Sequence, residues 1–223
     1  MSQGSMKQVF PPGADTVLRA VAAVAALALG GSAVVGAVLM QSDYVTSVTL
    51  PPAQPVPFSH RHHAGELGID CRYCHVTAET GPRAGLPATQ VCMTCHSQLY
   101  TGQPMLAPVR DSLAHDRPIP WRTVAQLPQF VTFDHSIHLA KGVGCSSCHG
   151  PVDRMPATYR AKAFTMEGFC LSCHRDPGPS LRPLDAITDM DWQPEADPGI
   201  ARKPMAERRI DLGLLTDCST CHR

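Results

Sequence analysis

Five Cys-x-x-Cys-His motifs, a 5% share of aromatic residues and an uncharged run from Ala20 to Met40 predict the fold class of this 223-residue chain. It is mostly short α-helices and loops packed around five haems, with one N-terminal transmembrane helix. The motifs are Cys71-Arg72-Tyr73-Cys74-His75, Cys92-Met93-Thr94-Cys95-His96, Cys145-Ser146-Ser147-Cys148-His149, Cys170-Leu171-Ser172-Cys173-His174 and Cys218-Ser219-Thr220-Cys221-His222. Each has the form of a c-type haem attachment site, in which two thiols add across the vinyl groups and the adjacent His becomes the proximal iron ligand. That makes Cys71, Cys74, Cys92, Cys95, Cys145, Cys148, Cys170, Cys173, Cys218 and Cys221 the attachment residues. His75, His96, His149, His174 and His222 are the proximal ligands. All ten cysteines are used. Zinc ribbons also use Cys pairs, but there two pairs share one metal; five pairs is an odd number, and a His follows every one. The chain reads as a multihaem cytochrome c.

The first element in order is the apolar run. Ala20 to Met40 is 21 residues with Ser32 its only polar side chain, long enough to cross a bilayer as a helix. Lys7 and Arg19 precede it and Asp43 follows, so the N-terminus (1–19) is expected in the cytoplasm and the motif-bearing region outside, on the periplasmic face of a bacterial inner membrane. Val35-Gly36-Ala37 could pass for a signal cleavage site, but the apolar region is longer than a usual signal core. The run is rich in small residues, with Ser32 and Gly36 forming a small-xxx-small pair that lets another helix approach closely.

A Pro-rich spacer follows at 41–57, stiff and extended in character. Two similar modules come next, 58–100 and 133–176, each holding two attachment motifs. The first opens Phe58-Ser59-His60-x-x-His63 and the second Phe133-Asp134-His135-x-x-His138. Phenylalanine to first cysteine spans 13 residues in one and 12 in the other. A connector at 101–132 joins them, and a Pro- and Asp-rich C-terminal segment, 177–223, carries the fifth motif. With so few large apolar side chains, the haems themselves are expected to supply buried surface, leaving haem-free chain unfolded. Formal net charge is zero, from 19 basic and 19 acidic residues, and no basic run points to nucleic acid.

Six histidines remain after the proximal ones: His60, His62, His63, His115, His135 and His138. The repeated Phe-x-His-x-x-His makes His60, His63, His135 and His138 the expected distal ligands, one of each pair serving its own module's first haem and the other a neighbour. His62 breaks the repeat, since Ile137 stands at its counterpart. The fifth distal ligand is open between His115 and Met166, with Met105 behind them; Met would mark one higher-potential haem. Arg61, Arg72, Arg83, Arg110 and Arg175 are candidates to pair with propionates, set against a role as solvated surface charge.

These modules resemble the class III cytochrome c and cytochrome c7 group. The fuller layout resembles the pentahaem cytochrome subunit of alternative complex III, a bacterial quinol:electron-acceptor oxidoreductase. The stretches that carry this are Ala84-Gly85-Leu86-Pro87, Ile119-Pro120-Trp121, Leu127-Pro128-Gln129-Phe130-Val131, Thr165-Met166-Glu167-Gly168-Phe169-Cys170 and Thr216-Asp217-Cys218. Relatives often carry a His where Ala125 stands here and a Trp where Phe169 stands, and the first departure leaves His115 or Met166 to replace that ligand. The resemblance implies a periplasmic electron relay with no catalytic substrate site of its own. Implied partners are polytopic quinone-binding membrane subunits, an iron–sulfur subunit and a monohaem cytochrome c subunit. The acceptor would be a soluble cytochrome c, a copper protein or a terminal oxidase. Rival readings are a stand-alone membrane-anchored quinol dehydrogenase, a multihaem reductase and a periplasmic electron shuttle. A reductase needs an open iron, often with an altered proximal motif, whereas all five motifs here end in His.

Overall fold

The computed structural model describes residues 9–194 and 198–222. Lys7, on which the membrane orientation partly rests, lies outside the described residues, as do Arg223 and part of the Pro- and Asp-rich segment. The chain divides into two units, 1–46 and 47–223.

In the first unit, helix α1 (Ala14–Gln41) is 28 residues long. At 1.5 Å per residue it reaches about 42 Å, more than the ~30 Å of a bilayer's hydrocarbon core. It begins at Ala14 rather than Ala20 because its first turns hold their charges internally, with Arg19 paired to Asp15 at 2.9 Å. Ser32 donates its hydroxyl to the Ala28 carbonyl at 2.7 Å, so the one polar side chain of the apolar run is satisfied within the helix. Its apolar side chains are exposed along its whole length, and none is buried by protein. By length and composition this helix is a candidate membrane anchor. Helix α2 (Asp43–Thr46) follows.

The second unit is helical and irregular. Among its described residues strand pairing is confined to two isolated bridges, Val48 with Arg160 and Val143 with Leu181. Its helices are α3 (Cys71–Cys74), α4 (Thr89–His96), α5 (Ala107–Ala114), α6 (His135–Ala140), α7 (Cys145–His149), α8 (Ser172–Arg175), α9 (Pro198–Glu207), α10 (Leu212–Leu215) and α11 (Cys218–Cys221). Four of them begin on a capping device legible in the sequence. Asp70, Asp134, Asp211 and Asp217 stand at N-caps, and each carboxylate accepts a hydrogen bond from the amide two residues on. Two π-helical turns, Arg61–Glu66 and Met166–Leu171, interrupt this pattern.

Protein-only packing is sparse. One buried cluster joins Val56, Leu106, Val109 and Ile119, with Cys92, Met93 and Trp121 against it. The other joins Ala78, Leu139 and Ile187, with Ala84 and Cys145 against it. Each cluster therefore backs directly onto a cysteine of a Cys-x-x-Cys-His motif. The Pro-rich stretch is held too: Gln54 donates to the Arg122 carbonyl at 2.7 Å and accepts from the Arg122 amide at 2.9 Å.

Candidate functional site

All five motifs lie on short helical turns that bring the thiols and the following His to one place. The first, third and fifth occupy α3, α7 and α11, and the second ends α4. The fourth is split: Cys170 lies in the π-helical turn and Cys173 and His174 in α8.

The histidine rings meet in twos. His60 faces His75 with centroids 6.5 Å apart, and His63 faces His96 at 6.2 Å. In the second module His135 faces His149 at 6.3 Å and His138 faces His174 at 6.1 Å. Two imidazoles bonded to opposite sides of one metal at about 2 Å place their centroids roughly 6.3 Å apart. The residues present thus fit an iron between each pair. The ring planes differ: 11° and 2° for the first pair of each module, 30° for His138 with His174, and 63° for His63 with His96.

Hydrogen bonds from Nδ1 to backbone carbonyls put the ring proton on Nδ1 and leave Nε2 as the nitrogen able to bind a metal. His75 donates to the Gly85 carbonyl at 2.7 Å, His174 to Leu215 at 2.8 Å, His96 to Leu99 at 3.2 Å and His222 to Phe130 at 3.1 Å. His63 and His138 donate to the carbonyls four residues back, Ser59 at 2.9 Å and Asp134 at 2.7 Å. Such bonds fix the tautomer and orientation of a metal-binding imidazole. The leading phenylalanine completes the frame. Phe58 stacks on His63 at 4.5 Å and meets His60 edge-on at 4.9 Å; Phe133 does the same to His138 at 4.6 Å and His135 at 4.8 Å. Burial holds His60 and His149 at a pKa of about 4, and it also lowers His138, so these rings are neutral, the form that binds a metal.

The two modules interlock at their first motifs. His135 donates Nδ1 to the Pro82 carbonyl at 3.1 Å, and His60 Nδ1 is 3.2 Å from the Thr158 hydroxyl. The Cys71 and Cys145 thiols lie close enough to interact, which lowers the pKa of Cys71 and raises that of Cys145. Cys92 is within electrostatic reach of Cys74, Cys173 and Cys170 of Cys148, and Cys221 of Cys170. The five motifs therefore succeed one another in space as second, first, third, fourth and fifth.

The remaining candidates are placed differently. His115 caps the end of α5, more than half exposed, with its ring on Asp111. Met166 opens the π-helical turn that carries Cys170 and is 54% exposed, while Met105 lies in a 3-10 turn beside α5 and is also 54% exposed. His62 pairs with Glu66 at 2.9 Å. His222 stacks against Phe130 at 5.8 Å rather than against a second imidazole. Of the arginines, Arg61 pairs with Glu66, Arg72 with Asp70 and Glu79, and Arg175 with Glu167. Arg110 is spent on the Thr101 and Gln103 carbonyls. A residue that the sequence did not single out is Arg182, only 3% exposed and bonded to Ser146 and Ser147 inside the third motif. Its flanks, Leu181 and Pro183, carry no motif that would mark it.

Residues 131–223 match the family of cytochrome c7 and related cytochrome c. That stretch holds the third, fourth and fifth Cys-x-x-Cys-His motifs. The chain is similar to the multihaem cytochrome c subunit of a menaquinone reductase from Nitratidesulfovibrio vulgaris, with 32% identity over 124 residues. That alignment covers 55% of this chain and 52% of the relative, so the chain spans about half the length of the curated relative it matches. A c-type haem bound at such a motif supplies reversible one-electron exchange at its iron.

Proposed function

We propose that this chain is a membrane-anchored pentahaem cytochrome that relays electrons within a quinol:electron-acceptor oxidoreductase of the alternative complex III kind, toward a periplasmic acceptor. The observation that carries this reading is the set of four imidazole pairs spaced 6.1–6.5 Å, strung along five contiguous attachment sites. His60 with His75, His63 with His96, His135 with His149 and His138 with His174 each hold one iron. His222 holds the fifth with Met166 opposite. Met166 is favoured over His115 because its turn carries Cys170, which is near Cys221, whereas α5 packs on the helix of the second motif through Thr89 and Ser112. The expected signature is a methionine-to-iron charge-transfer band that Met166→Leu abolishes and His115→Leu leaves unchanged.

In this reading α1 is the anchor, the haem-bearing unit is periplasmic, and large quinone-binding subunits, an iron–sulfur subunit and a monohaem cytochrome are neighbours. The test is gentle detergent extraction of native membranes, a haem-stained native gel and mass spectrometry of the co-migrating chains. Migration with polytopic and iron–sulfur subunits supports the assembly; migration alone, or with one soluble reductase, refutes it in favour of a stand-alone quinol dehydrogenase or shuttle. The likeness to a menaquinone reductase subunit favours a second reading, in which the same relay runs inward, from a periplasmic donor to quinone. Assaying the isolated assembly with quinol plus acceptor, and with donor plus quinone, separates the two directions.

A further inference from the structure

Cations beside the first and fourth motifs are matched by carboxylates: Arg72 by Asp70 and Glu79, Arg175 by Glu167. The third motif is different. Arg182 is 3% exposed, and its guanidinium donates to the Asp189 carbonyl at 2.7 Å and to the Ser146 and Ser147 hydroxyls at 3.0 and 3.2 Å. Its cation lies over the Trp192 ring at 4.6 Å, and its Nε has no partner. Every acceptor it has is neutral. Asp189 lies within electrostatic reach, but its exposed carboxylate accepts from the Asp191 amide instead. Gly144 makes room for the arrangement, because a Cβ there would sit 2.1 Å from the guanidinium carbon. A second cation, the exposed Lys162, donates to the Ser147 carbonyl at 2.7 Å.

We infer that Arg182 is a tuning residue for the third attachment site: a fixed, buried, uncompensated cation that raises the reduction potential of the haem held by Cys145, Cys148 and His149. This rests on the haem reading of that motif. Ferric haem carries one more positive charge than ferrous, so a neighbouring cation favours the reduced form. The effect is strong where the protein excludes water and ions and weak where the cation is solvated. Arg182 is buried and Lys162 is not, so Arg182 dominates. The third site is central in the spatial order, and its potential therefore affects transfer in both directions.

The test uses the full-length haem-loaded protein in detergent, titrated spectroscopically between dithionite and ferricyanide, with mass spectrometry of the peptide around Cys145 to establish its haem. Arg182→Gln is expected to lower one component of the titration, shifting its ferric-to-ferrous ratio at fixed potential by roughly tenfold, the scale of one unit charge acting through partly buried protein. The shift should persist in high salt, and Arg182→Lys should largely restore the wild-type curve. Lys162→Gln should give a smaller shift that disappears in high salt. Ser146→Asp neutralises the guanidinium without removing it, and should lower the same component even if Arg182→Gln does not fold. A haem-loaded third motif whose potential is unmoved by Arg182→Gln or Ser146→Asp overturns the inference, as does an equal shift from Arg182→Lys and Arg182→Gln. A third motif without haem overturns the underlying haem reading instead.

Discussion

At the scale of single residues, the angle between paired rings has a spectroscopic consequence. Crossed imidazoles perturb two iron d orbitals almost equally, while parallel ones split them. The 63° crossing of His63 and His96 should therefore give the second site a more anisotropic low-spin ferric signal than the sites whose rings lie within 11° of parallel. Electron paramagnetic resonance of wild type and His63→Ala checks this, since the variant should lose that signal alone. Protonation gives a second expectation. Burial disfavours the imidazolium of His60 and of His149 in the folded chain, and an iron held by these rings would exclude the proton further. The unfolded chain therefore takes up more protons on acidification, so stability falls as pH drops below the ordinary histidine value of 6.5. Denaturant midpoints of the loaded protein should decline below that pH; a flat profile would show that these rings do not govern acid stability. The histidines were legible because Phe-x-His-x-x-His occurs twice with the same spacing. Arg182 was not, because its burial depends on a glycine thirty-eight residues earlier in the chain, and no local pattern records that contact.

At the scale of elements, the junction between modules depends on close backbone approach. Gly65, in the π-helical turn Arg61–Glu66, lies against the turn Val152–Arg154, where an added Cβ would be 2.3 Å from the Asp153 carbonyl oxygen. Neither backbone can move without shifting His63 or the chain leading to Thr158. Gly65→Ala should therefore destabilise the protein by about 1–3 kcal/mol, the usual cost of overpacking a tight contact. Thermal unfolding followed in the haem absorption band reads this directly, and an unchanged transition would mean the junction is looser than described. Helix positions around the motifs were legible from Asp before Cys71 and before Cys218, which reads as an N-cap. The splitting of the fourth motif between a π-helical turn and α8 was not, because no residue pattern in Met166–Leu171 marks the extra residue of such a turn.

At the scale of the whole molecule, two small clusters of buried side chains are little core for the motif-bearing unit of 47–223. A chain deprived of haem should show no cooperative unfolding transition by circular dichroism, whereas the loaded protein should show one. Composition made this weakness plain, and it also made the long apolar helix plain. The interlocking of the two modules was hidden, because it joins Pro82 to His135 and His60 to Thr158 across long stretches of sequence. That interlocking bears on how the protein is made. Cys71 and Cys145 stand on either side of that junction, yet their thiols lie close enough to interact. In an oxidising compartment two neighbouring thiols that lose two hydrogens to an oxidant become a disulfide, which would close two Cys-x-x-Cys-His motifs to haem at once. A chain too poorly packed to dock before its thiols were occupied would avoid that dead end, so a marginal core would guard the order of maturation.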